Sequence, residues 1–211
     1  MSYLRQLLRP LKRRWEERTF RQAGTDLHLA GRWELPSLLN ARGLVGTGVE
    51  VGVFEGFFTC FLLESWRGNK LIAVDPWRHF SSGYKDDCNQ GQAAMDKLFA
   101  ETQGRLAQFG ARAEIWRNLS DEAAARCPDA SLDFAYIDAQ HHYAAVKEDL
   151  ALWWPKLKPG GMFAGHDYMD GSFSFGEFGV KSAVDEFVRE HGLKLYVTGE
   201  QDSPSWFFFK P

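Results

Sequence analysis

From Gly46 onward, short apolar runs alternate with longer stretches of helical periodicity, and this alternation limits the chain more than any other feature. Strands are expected at Thr47–Val53, Lys70–Asp75, Ala113–Arg117, Leu132–Asp138, Met162–Asp167, Lys194–Thr198 and Ser205–Phe209. Helices are expected at Phe57–Ser65, Gly91–Phe109, Asp121–Arg126, Tyr143–Trp154 and Val180–His191. A strand–helix alternation of this kind folds as a parallel α/β sheet. "KPGG" (Lys158–Gly161) reads as a turn leading into the fifth strand. About six residues, Gly199–Pro204, separate the last two strands, and a parallel crossover needs roughly a dozen, so that pair is antiparallel. No repeat, low-complexity tract or long linker divides the chain.

The 211 residues suit one core, and 25 Lys and Arg against 28 Asp and Glu imply no general polyanion-binding surface. Cys60, Cys88 and Cys127 are too few and too scattered for a disulfide framework or a zinc cluster, which fits a reducing cytoplasm. No run of about 18 apolar residues and no secretory leader is visible, so a soluble protein without stable membrane insertion is expected. The first 21 residues differ. Seven basic side chains (Arg5, Arg9, Lys12, Arg13, Arg14, Arg18, Arg21) stand against Glu16 and Glu17, while Leu4, Leu7, Leu8, Leu11 and Trp15 fall near helical spacing. Such a segment either covers part of the fold or lies on an anionic membrane or partner, and Pro10 interrupts it as one long helix. The division expected is a helical segment over 1–45 and a catalytic domain over 46–211.

Ligands of open α/β sheets bind beyond the carboxyl ends of the strands. Chemistry-bearing residues collect there: Glu50 and Gly52, then Asp75, Asn118 and Ser120, Asp138, and His166 with Asp167. Gly52 and Gly56 permit a tight strand-to-helix turn against which a ligand can rest. Their Gly-x-x-x-Gly spacing departs from the dinucleotide fingerprint, which disfavours a nicotinamide-dependent oxidoreductase. Glu50 repels phosphate and welcomes a cation, while Asp75 stands where an acid commonly receives ribose hydroxyls. A nucleoside with a cationic, phosphate-free tail describes S-adenosylmethionine.

"EVGVFEGFFT", "AVDPW", "FAYIDAQHHYAAVKEDLALWWPKLKPGGMFAGHDY" and "FGVKSAVDEFV" together resemble class I S-adenosylmethionine-dependent methyltransferases, especially a bacterial small-molecule O-methyltransferase-like branch. The resemblance spans roughly Gly46 to the C-terminus. It implies a Rossmann-like three-layer α/β sandwich with a seven-stranded, mainly parallel sheet whose last strand is antiparallel. It also implies cofactor contacts from Glu50, Gly52, Gly56 and Asp75, with Asn118, Ser120 and Asp138 at the following strand ends. Where such proteins carry an acid beside the adenine, this chain has Leu119, so that contact falls to Ser120 and main-chain groups.

On the acceptor side, carboxylates and imidazoles at one sheet edge can hold a divalent ion such as Mg or Mn. Related catechol-type enzymes bind metal at positions matching Asp138, His166 and Asp167; the alternative is that His166 and Asp167 cap the strand. His141 occupies the place of a lysine base in those enzymes and, opening a helix, is suited to accept a proton; His142 is the competitor. Trp77–Gln92 and Tyr168–Gly179 read as long aromatic loops that either cover an apolar acceptor or pack between subunits of a homo-oligomer. The resulting expectation is methyl transfer to a hydroxyl of a small molecule, with no nucleic-acid partner. The rival is a non-catalytic cofactor-binding module anchored to a partner or membrane by its basic N-terminal helix.

Overall fold

The computed structural model describes residues 3–24, 26–81 and 87–211, with the side chains of 3–11 and 23 outside the description. In chain order the strands are β1 (Thr47–Val51), β2 (Lys70–Val74), β3 (Ala113–Trp116), β4 (Leu132–Ile137), β5 (Leu157–Gly165), β6 (Asp170–Phe173), β7 (Gly176–Gly179), β8 (Tyr196–Val197) and β9 (Trp206–Phe209). The α-helices are α1 (Tyr3–Ala23), α2 (Leu35–Ala41), α3 (Phe57–Ser65), α4 (Gln92–Leu106), α5 (Ser120–Arg126), α6 (Tyr143–Trp153) and α7 (Val180–Glu190).

Seven strands form one sheet in the order β3-β2-β1-β4-β5-β9-β8. β1 through β5 pair in parallel, and β9 runs antiparallel between β5 and β8. This is the Rossmann-like, mainly parallel arrangement expected, with the reversal placed at β9.

The period of two along each strand divides the core into two layers. On β4, Phe134 and Tyr136 join the cluster formed with α2, α3 and α4, whereas Ala135 and Ile137 face α5, α6 and α7. On β9, Phe207 lies on the first side and Trp206 and Phe208 on the second. Both faces are covered, so the central strands read as continuous apolar runs. Glu50, between Val49 and Val51, has the opposite parity to those valines and falls on the α3 side.

Three local expectations change. α1 runs through Pro10 from Tyr3 to Ala23; a missing N–H removes one i→i−4 bond, and the flanking turns carry the helix on. Its two acids are turned inward: Ser37 donates to Glu16 at 2.7 Å, and Arg67 donates to Glu17 at 2.9 Å. The apolar row Leu4, Leu7, Leu8 and Leu11 lies outside the described side chains. "KPGG" is an irregularity inside β5, not a turn before it, because Leu157 already pairs with Leu132 and the ladder resumes at Met162 opposite Phe134. Finally, Tyr168–Gly179 is not all loop. It contains the hairpin β6–β7, closed by two residues between Phe173 and Gly176. Its glycines and exposed strand faces conceal it from hydrophobic periodicity.

Candidate active site

The segments leaving the carboxyl ends of β1 to β5 line a cleft of about 570 Å³, within the range that holds drug-sized ligands. Its lining includes Glu50, Gly52, Gly56, Asp75, Asn118, Ser120, Asp138, His141 and Asp167, all singled out by sequence. His166 is the exception.

The two glycines are required first by the chain itself. Gly52 has φ +89°, and a Cβ there would lie 1.9 Å from the Asp138 carbonyl oxygen. Gly56 has φ +75°, and its Cβ would meet Thr102 at 2.8 Å. Both conformations suit glycine. The close approach read from the sequence is therefore already filled by β4 and α4, and the ligand is an additional neighbour.

Glu50 is 2% exposed, and its Oε2 has no hydrogen-bond partner among the described residues. Burial pushes its carboxyl up to about 8; the nearby Asp138 and Asp75 charges add to the shift, and a Thr59 hydrogen bond and Arg32 oppose it. A buried carboxyl with one oxygen left unpartnered in a cleft is costly unless a donor or cation arrives.

Asp75 is also buried, at 8% exposed, but both its oxygens have donors. Its Oδ2 accepts from the N–H groups of Val53 at 3.0 Å and Phe54 at 2.9 Å, and its Oδ1 from Trp77 N–H at 2.7 Å. It ties the turn after β1 to the turn after β2, whose Phe54 (φ +50°) and Trp77 (φ +39°) are left-handed non-glycine residues. Burial raises its carboxyl, against those three backbone donors. Asn118 and Ser120 are likewise engaged. Asn118 donates to Glu122 and accepts from Arg126. Ser120 donates to Asp149 and accepts from Trp153 Nε1 at 2.9 Å. Asp149, raised by burial to about 7, also lines the cleft.

The β4–β5 side is differently built. His141 Nε2 lies 3.2 Å from Asp167 Oδ2 and 3.7 Å from Asp138 Oδ1. One ligand atom from each of Asp138, His141 and Asp167 fits within a mutual separation of 4.8 Å. His166 stands behind: its Nδ1 is 3.2 Å from Asp167 Oδ1 and 3.8 Å from Asp138 Oδ1. Burial alone would raise the Asp167 carboxyl, but the hydrogen bond and charge of His166, with His141 beyond, hold it below the ordinary range. The triplet that converges is thus Asp138, His141 and Asp167, in place of Asp138, His166 and Asp167. Asp167 itself is left-handed, at φ +51°.

His141 and His142 separate cleanly. His142 caps α6, its Nδ1 accepting from Ala145 N–H at 3.3 Å and its Nε2 lying 2.8 Å from Gln140 Oε1. His141 lines the cleft and stacks on Phe178 of β7, ring centroids 4.7 Å apart.

A methyltransferase-domain family profile matches residues 49–168, which is more than half of the chain. The chain belongs to the S-adenosylmethionine-dependent methyltransferase family. Solved structures of similar fold include the O-methyltransferase TomG from Streptomyces achromogenes in complex with SAM, at 14% identity, TM-score 0.59, and coverage of 93% of this chain and 90% of that one. An O-methyltransferase from Bacillus cereus in complex with SAH gives 13% identity, TM-score 0.57 and coverage of 94% and 90%. An rRNA methylase from Streptococcus thermophilus gives 17%, 0.53, and 79% and 87%. At these identities the likeness is one of fold. A search of curated proteins finds no match.

Two site residues escaped the sequence. Arg32, in a short 3₁₀ turn before α2, lines this methyltransferase's cleft and places Nη1 3.4 Å from Asp138 Oδ2. No periodicity announces it. Asp149 carried a signal: Val146, Asp149, Leu150 and Trp153 form the buried stripe of α6, and an acid on such a stripe is unusual. Among the described residues, no helix is long and apolar enough to cross a membrane.

Proposed function

We propose that this methyltransferase transfers the methyl group of S-adenosylmethionine to a hydroxyl of a small molecule, with the cofactor over β1 and β2 and the acceptor over β4 and β5. The observation that carries this reading is the Asp138–His141–Asp167 cluster set beside the unpartnered Glu50. The residues fit the cofactor: a buried carboxyl with one oxygen unpartnered suits its ammonium, and the cleft has room for a nucleoside and its tail. When bound, it supplies an electrophilic methyl on a sulfonium.

The chain's part is to align and to handle one proton. His141 Nε2 takes the hydroxyl proton, and the Asp167 and Asp138 carboxylates stabilise the resulting imidazolium across 3.2 and 3.7 Å. Phe178 stacked on the ring fixes its plane. Holding the acceptor oxygen in line with the methyl provides much of the remaining acceleration. In the alternative arrangement, with His141 a ligand and not the base, the three residues form a mixed nitrogen and oxygen set that would hold Mn or Mg. Such an ion would supply Lewis acidity toward the hydroxyl.

Labelled-methyl transfer to a panel of phenols, alcohols, amines and RNA, with product mapping and with or without EDTA, tests this. O-methylated small molecules are expected, lost in His141→Ala while SAH still binds. Transfer confined to nitrogen or to RNA would sink the acceptor assignment, and insensitivity to EDTA would leave the histidine as sole proton acceptor.

A further inference from the structure

The cofactor's amino-acid end is a zwitterion, and Glu50 answers only its ammonium. The carboxylate would then sit between Glu50 and Asp138, an acidic surrounding that needs a fixed cation. We infer that Arg32 is that cation, a residue outside the matched family domain that completes the cofactor site by binding the α-carboxylate. The inference rests on the proposed cofactor site and specifies its methionine end.

Position comes first. The strand order β2-β1-β4-β5 sets Asp75, Glu50, Asp138 and Asp167 in sequence along the edge. Arg32 meets this row between Glu50 and Asp138: it contacts Asp138, pairs with Tyr136 of β4, and lies over the Phe58 ring of α3 at 4.7 Å. That is one step from the nucleoside end at Asp75 and one step short of the acceptor end at Asp167.

Capacity comes second. A guanidinium carries five N–H donors in a planar fork suited to a carboxylate. The Asp138 contact, at 3.4 Å, is a long one and engages a single nitrogen. With Asp138 and Tyr136 as its side-chain partners and the Phe58 ring beneath it at 4.7 Å, the fork still has donors to offer a ligand.

The third argument is preorganisation. Arg32 N–H donates to Glu200 Oε1 at 3.0 Å, and Glu200 Oε2 accepts from Thr198 Oγ1 and Ser205 N–H. Gly199 N–H donates to the Leu29 carbonyl at 2.9 Å, and Ala30 N–H to Glu34 Oε2 at 2.8 Å. The loop between β8 and β9 therefore pins the backbone that presents Arg32, so little ordering is needed when the ligand arrives.

The test compares calorimetric binding of S-adenosylhomocysteine and of 5′-methylthioadenosine, which lacks the amino-acid group, by wild-type protein, Arg32→Ala and Arg32→Lys. Arg32→Ala should weaken S-adenosylhomocysteine about 10–100-fold and shift methylthioadenosine less than about 2-fold, with Arg32→Lys between. Unchanged S-adenosylhomocysteine affinity in Arg32→Ala would overturn the inference, and is the result expected if the arginine serves an acceptor carboxylate. Equal loss of both ligands would overturn it too, marking a structural role. Wild-type protein that binds neither ligand would remove the proposed cofactor site along with it, whereas tight binding of both with no preference would remove this inference alone.

Discussion

The two halves of the sheet's carboxyl edge carry similar residues and treat them oppositely. On the β1–β3 side, Asp75, Asn118 and Ser120 have their polar atoms committed to neighbouring backbone and side chains. On the β4–β5 side, His141 Nε2 lies 3.2 Å from Asp167 Oδ2 and 3.7 Å from Asp138 Oδ1, and the three residues couple electrostatically along the wall of the cleft. Glu50 stands at the junction with one oxygen unpartnered. A polar group tied into backbone hydrogen bonds stabilises the fold and presents a shape; acids coupled to an imidazole on a cleft wall are suited to chemistry. Shape on one side and reactivity on the other is the division of labour that the proposed nucleoside cofactor and small acceptor call for.

The division is broken most severely at His141. His141→Ala should lower kcat by about 10²–10⁴ while leaving S-adenosylhomocysteine affinity unchanged, as read by steady-state kinetics and calorimetry. Equal loss of activity and cofactor affinity would erase the distinction between the two sides.

Asp75→Ala should do the reverse, unfolding the chain before it touches chemistry. Three backbone donors lose their acceptor, at about 1–3 kcal/mol each where they stay buried, so Tm should fall by roughly 10 °C or more. Asp167→Asn retains a residue that tolerates φ > 0 and should change Tm by only a few degrees while impairing turnover.

Acid–base linkage gives the next effect in size. The Glu50 carboxyl stands at about 8 and Asp149 at about 7 in the folded chain, both raised by burial above their ordinary values of 4.5 and 3.8. The folded state thus binds more protons than the unfolded one between those limits. Stability is greatest on the acid side and declines as pH rises through 7 and 8. Glu50→Gln and Asp149→Asn should each flatten the dependence of Tm on pH, by several degrees at pH 8 and little at pH 5. Flat wild-type stability over that range would mean that neither group is held protonated.

His142→Ala supplies the smallest effect, the loss of a helix cap worth about 0.5–2 kcal/mol, with kcat nearly unchanged. Placed beside His141→Ala, it separates adjacent imidazoles by function.

The alternation of strands and helices was legible because each element buries a face with its own period. The residues at strand ends were legible because a parallel sheet delivers them to one edge. The antiparallel final pair followed from chain length alone. Arg32 was hidden because what places it is a hydrogen bond to Glu200, 168 positions away. That His141 converges with Asp138 and Asp167 is set by how the loops beyond β4 and β5 meet, and the left-handed conformation of Asp167, which aspartate adopts more readily than most residues, is equally invisible to any pattern. Gly52 and Gly56 were legible as positions that need glycine, but not for which reason, since a missing Cβ looks the same whether a ligand or the chain itself fills the space.

The most direct measurement is calorimetric titration of S-adenosylhomocysteine into wild-type protein, Glu50→Gln and His141→Ala. One site in the wild type, weakened about 10–100-fold in Glu50→Gln and unaltered in His141→Ala, is the predicted result. No binding by the wild type, or a loss in His141→Ala as large as that in Glu50→Gln, would contradict the assignment of cofactor and chemistry to opposite sides of the cleft.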